Sequence, residues 1–90
     1  MLPKTGLVKF GATWCGPCKA VKPALEAVKL ETNVELLEVD IDEDQDLASQ
    51  FGIRGVPTVL AFKDGNLVGQ LVGAKTKEDY LELVNKLKGE

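Results

Sequence analysis

The chain has no histidine and only two cysteines among its 90 residues, which leaves it short of ligands for a structural metal. Four-coordinate zinc is held by Cys and His side chains, so a site within one copy would lack two ligands, and only metal shared between chains would supply them. Long apolar runs are also missing. Nothing approaches the roughly 18 residues needed to cross a bilayer, and the residues before Leu7 offer neither an apolar signal core nor a small-residue cleavage site. Nor is there a surplus of basic charge: with a formal net charge of -3 and no basic patch, neither nucleic acid nor an anionic membrane is a natural partner. These shortages together read as a cytoplasmic protein. At 90 residues, 44% hydrophobic and 28% charged, it should form one domain, residues 1–90, with one modest core. There is no linker, repeat or low-complexity segment.

What is present is concentrated in Trp14-Cys15-Gly16-Pro17-Cys18-Lys19. A disulfide needs Cα atoms about 4.4–6.8 Å apart, and a turn entering a helix brings residues i and i+3 within that reach. So small a loop adds little as a staple and more as a switch, and in a reducing compartment cysteines at this spacing argue for catalysis. At a helix N-terminus, unpaired backbone N–H groups and the helix dipole favour the Cys15 thiolate, the nucleophilic form. Cys18, one turn in, is the buried resolving thiol, which attacks Cys15 to release a mixed disulfide. Pro17 suits the turn because its φ is already helical and its missing N–H falls where helix donors are orphaned.

Hydrophobic patterning supplies the frame. Leu7 to Ala12 reads as a strand buried on both faces, and apolar residues at helical spacing run from Cys15 to about Leu30, with Pro23 expected to kink that helix. Val34 to Ile41 reads as a second strand, parallel to the first. Asp44 to Phe51 is a short helix ended by Gly52. Pro57 to Phe62 and Leu67 to Val72 are strands joined by a hairpin turn on Asp64-Gly65. Thr76 with Asp79 forms a capping-box variant before a C-terminal helix whose apolar stripe is Tyr80, Leu81, Val84 and Leu87. The order is βαβαββα.

The cysteine motif, the internal Pro23, and Phe51-Gly52-Ile53-Arg54-Gly55-Val56-Pro57-Thr58 make the chain resemble the thioredoxin family from about Leu7 to Leu87. The resemblance implies an α/β thioredoxin fold in minimal βαβαββα form, a four-stranded mixed sheet flanked by helices. It implies Cys15 as attacking nucleophile, Cys18 as resolving thiol, and a cis Val56-Pro57 bond that sets Pro57 beside the disulfide. Trp14, Gly55, Val56 and Pro57, with Val72, Gly73 and Ala74, would form a flat apolar surface on which an extended substrate docks by strand addition. A partly buried core aromatic is the plainer reading of Trp14. The activity implied is a thiol-disulfide oxidoreductase for electron transport and cell redox homeostasis. It would act as a monomer without cofactor or metal on disulfide-containing proteins, recharged by a thioredoxin-reductase-type flavoprotein. Two alternatives stand beside it: a glutaredoxin-like protein recharged by glutathione, with Lys75 and Lys77 near the docking surface, and a non-catalytic thioredoxin-like binding subunit.

The sequence departs from the family in three places. No sequence for the additional strand and helix that usually open these proteins stands before Leu7, so Val34 to Ile41 should be an exposed edge, discouraged from pairing by Glu35, Glu38, Asp40 and Asp42. Lys9 stands where the family commonly has a buried aspartate, and Glu38 where it has a lysine on the neighbouring strand. A buried ammonium needs a partner, so one expectation is a reversed ion pair in which Glu38 accepts the Cys18 proton. Another is that the charge of Lys9 acts directly on Cys18; a third is that Lys9 merely snorkels to solvent. Gly11 replaces a bulky aromatic and should leave a hole near the active site. The run from Glu38 to Asp46 lacks the glycine and the bidentate glutamate of a calcium loop and reads as an acidic, helix-initiating turn.

Overall fold

The computed structural model describes residues 2–88. Its order is β1 (Gly6–Gly11), α1 (Gly16–Thr32), β2 (Leu36–Asp40), α2 (Gln45–Gln50), β3 (Thr58–Lys63), β4 (Asn66–Val72) and α3 (Lys77–Lys88). The strands form one four-stranded sheet in the order β2-β1-β3-β4. β1 runs parallel to β2, with Lys9 opposite Glu38, and antiparallel to β3, with Phe10 opposite Thr58. β2 is therefore the sheet edge that the sequence predicts, and its Glu38, like Glu35 just before it, is exposed.

Every residue of β1 is buried, as a central strand covered on both faces requires. Alternation along it sends Leu7 to the side of α1 and α3, where it packs with Val21, Leu25, Val28, Val59, Tyr80 and Val84. Val8 and Phe10 face the other side, toward α2, among Val39, Ala48, Leu60 and Phe62. There Phe51 bridges the two buried rings, its centroid 6.2 Å from Phe10 and 5.5 Å from Phe62 in tilted and edge-on arrangements that suit their quadrupoles. α2 has only six residues and depends on its ends. Asp44 accepts from the Leu47 N–H at 3.2 Å, and Gly52 turns the chain away at φ 64°.

The remaining local signals also take physical form. Asp64 and Gly65 both have positive φ, 53° and 85°, as a two-residue hairpin turn needs, and Lys63 pairs with Asn66 across it. Thr76 and Asp79 exchange backbone-to-side-chain bonds of 3.1 and 3.2 Å. Hydrogen bonding to the carboxylate from the Thr76 backbone N–H, and then from its side chain, holds the Asp79 carboxyl below its ordinary range. α3 buries Tyr80, Leu83, Val84 and Leu87; Leu83 extends the expected stripe and Leu81 is only half-buried. Burial pushes the Tyr80 phenol up, while its oxygen accepts from the Lys75 N–H at 3.3 Å. Pro23 lies inside α1 without ending it, and an exposed Lys77–Glu31 ion pair links α3 to α1.

Candidate active site

The C-terminal end of β1 delivers the chain into the cysteine turn, and Cys15 caps α1 with extended backbone angles, φ -92° and ψ 108°. Its sulfur accepts a hydrogen bond from the Cys18 N–H at 3.1 Å, one of the donors that a helix start leaves unpaired. Pro17 sits in the first turn and no acid accompanies it there, so nothing in that turn opposes negative charge on sulfur. Cys15 and Cys18 are joined as a disulfide with Cα atoms 5.3 Å apart. Both are buried, at 4% and 3% exposure.

Because β3 is antiparallel to β1, its start lies at the same end of the sheet, and so does the finish of β4. That topology gathers Trp14, Gly16, Pro17, Gly55, Val56, Pro57, Gly73 and Ala74 at one end. Pro57 is buried behind a cis Val56–Pro57 peptide, and its carbonyl accepts from the Gly73 N–H at 2.8 Å. Thr58 donates its hydroxyl to the Gly55 carbonyl at 2.7 Å and so fastens the loop before that proline. Gly73 has φ 90°, a left-handed conformation that favours glycine. Trp14 and Val72 are exposed at 65% and 53%, which removes Trp14 from the core.

A dithiol turn beside such a surface can exchange disulfides, and comparison with known proteins names the lineage. The family model for thioredoxin matches residues 3–86. The thioredoxin of Bacillus subtilis is 44% identical over 82 residues, covering 89% of this chain and 79% of its own. A Staphylococcus aureus thioredoxin is 42% identical over the same shares. The chain belongs to the thioredoxin family.

Solved thioredoxins superpose closely. A mutant thioredoxin from Halobacterium salinarum gives a TM-score of 0.90 at 36% identity, with 97% of this chain and 77% of that one covered. The thioredoxin NaTrxh of Nicotiana alata gives 0.86 at 39%, covering 96% and 75%. This thioredoxin is accordingly a thiol-disulfide oxidoreductase, a protein-disulfide reductase built on Cys15 and Cys18. Disulfide-bearing substrates and a reductase go with the family in general. Among the described residues no helix is long and apolar enough to cross a membrane.

Lys9 and Glu38 stand opposite each other in the β1–β2 register and line one cleft with Gly11 and Cys18. They do not form the reversed ion pair. The Lys9 ammonium instead donates to the Cys18 carbonyl at 3.2 Å, and the salt bridge seen among the described residues, Lys77–Glu31, lies away from the cleft. The reason is the edge position of β2, where water solvates Glu38, while Lys9 on the central strand is 7% exposed and must find a partner inside. Snorkelling fails for the same reason. A contact that sequence reasoning missed is the Trp14 indole N–H donating to the Asp42 carboxylate at 2.8 Å. The acidic run otherwise caps itself, Asp40 accepting from the N–H groups of Asp42 and Glu43 at 2.8 and 3.3 Å.

Proposed function

We propose that this thioredoxin works as a single-domain cytoplasmic monomer that reduces protein disulfides by attack of Cys15 and resolution by Cys18. The observation that carries this order is the 3.1 Å bond from the Cys18 N–H to the Cys15 sulfur at the start of α1, which favours thiolate at position 15. The extended substrate lies against Trp14, Gly55, Val56, Pro57, Gly73 and Ala74, and a thioredoxin-reductase-type flavoprotein returns the electrons. Lys9, buried in the wall of the cleft that Cys18 also lines, acts on the charge at Cys18 during resolution, while Glu38, across the same cleft on the edge strand, stays in water.

A redox titration tests the reading directly. Trp14 fluorescence in graded dithiothreitol and glutathione buffers should report one two-electron transition with a midpoint below the glutathione poise, and turnover of a disulfide protein should need the flavoprotein reductase. A midpoint at or above that poise, with recharging by glutathione alone, would make the protein glutaredoxin-like instead.

A further inference from the structure

Cys18 has a neighbour whose place in the fold calls for an explanation. Lys9 is a buried cation in the middle of a central strand, and its ammonium is held on the Cys18 carbonyl at 3.2 Å. Two residues along, on the same face of β1, Gly11 has no side chain. A Cβ built there would lie 3.3 Å from the Cys18 sulfur and 3.6 Å from Cε of Lys9, so sulfur and lysine tail face one another across the space that a side chain at position 11 would fill.

Resting on the dithiol mechanism above, we propose that Lys9 and Gly11 act as one device: the bare Cα of Gly11 gives the Lys9 side chain room behind Cys18, where Lys9 is a positioning residue that steadies the Cys18 sulfur as its thiolate in the reduced protein. An ammonium carries three donors, so the bond to the carbonyl leaves others for the sulfur once the disulfide opens. Away from bulk water an opposite charge acts far more strongly than in solution. The other charges lining the cleft are Lys19 and Lys22 from α1, Glu38 and Asp40 from β2, and Glu43 beyond it. All but half-buried Asp40 are exposed and therefore screened, which leaves Lys9 as the dominant field at the sulfur.

The step it serves balances without any further reagent. In the mixed disulfide the Cys18 thiolate attacks the Cys15 sulfur, the Cys15–Cys18 bond forms, and the bond from Cys15 to the substrate sulfur breaks. The electron pair departs on the substrate sulfur, which takes a proton from water; the substrate is reduced by two electrons and the dithiol oxidised. Lys9 takes no part in the proton transfer.

The test follows resolution by stopped flow with an aromatic disulfide reagent, as release of the second thionitrobenzoate from pre-reduced protein across roughly pH 5 to 10. Lys9→Met removes the charge, and Lys9→Gln removes it while keeping an N–H donor for the carbonyl. Losing the charge lowers the thiolate fraction on the acid side about tenfold, partly offset because a more basic thiolate is a better nucleophile, with a Brønsted slope of about 0.4–0.5. Both variants should therefore resolve about threefold slower in acid and about threefold faster in alkali, so that their profiles cross that of the wild type. Gly11→Ala should move the profile in the same direction and add little to Lys9→Met. At a pH where Cys18 is ionised, the midpoint should become more reducing by about 30 mV for each tenfold change. A Lys9→Gln profile superposed on the wild type, or one slower by the same factor at every pH, overturns the inference alone. Absence of any second release from the wild type overturns the dithiol mechanism and the inference together.

Discussion

The indole N–H of Trp14 donates to the carboxylate of Asp42 at 2.8 Å, tying the residue before Cys15 to the turn that follows β2. The side chain is 65% exposed, so the bond orients the ring without burying it. Asp42→Ala should leave stability within about 1 kcal/mol of the wild type, as exposed polar contacts do. It should also lower Trp14 fluorescence anisotropy and weaken docking of a protein disulfide. Unchanged anisotropy would mean that other contacts hold the ring.

Replacing Cys18 with Ser should halt turnover at the mixed disulfide and leave a covalent adduct with a substrate protein, visible by non-reducing electrophoresis. Replacing Cys15 should prevent the adduct. Reduction should cost only about 2 kcal/mol of stability by the chain-entropy relation for so small a loop, so the reduced protein remains folded in thermal melts.

Two glycines should respond differently to alanine. At Gly6 the added Cβ would lie 2.7 Å from the Glu35 carbonyl oxygen, the same atom that accepts from the Leu7 N–H and joins β1 to the segment entering β2. At Gly69 it would lie 2.8 Å from the tip of Leu83, which can rotate away. Gly6→Ala should cost about 1–3 kcal/mol in urea unfolding, and Gly69→Ala distinctly less. The reverse order would show that the sheet yields more easily than the α3 packing.

The cap of α3 carries a pH dependence of known sign. The folded Asp79 carboxyl lies below its ordinary value of 3.8, so its contribution is present above that pH and is lost as pH falls through the lowered folded value. Asp79→Asn should flatten that acid limb of the melting temperature. Thr76→Ala should lower stability by about 1 kcal/mol at neutral pH. An unchanged acid limb in Asp79→Asn would assign the loss to other carboxylates.

Much of the site was legible because its chemistry is local. A cysteine pair at i and i+3 at a helix start, an Asp-Gly hairpin and a Thr-Asp cap are decided by neighbours in sequence, and all three stand where they were expected. Boundaries were less so: β2 covers Leu36–Asp40, not Val34 to Ile41, because an edge strand ends where its one partner, β1, ends. Leu83 could have been found, since Tyr80, Leu83, Val84 and Leu87 follow the i, i+3, i+4, i+7 spacing.

The sequence by itself determined the order of elements, the dithiol at the head of α1 and the membership of Lys9 in a buried central strand. Periodicity, caps and turns act over a few residues and leave little choice. Only the tertiary structure decided what Lys9 touches. The register sets it opposite Glu38, yet edge solvation keeps Glu38 in water and burial turns the ammonium to Cys18. The Trp14–Asp42 bond, across 28 residues, likewise exists only because parallel pairing brings the ends of β1 and β2 together. Such contacts depend on which distant groups meet and which of them water can reach, and neither is written in any local pattern.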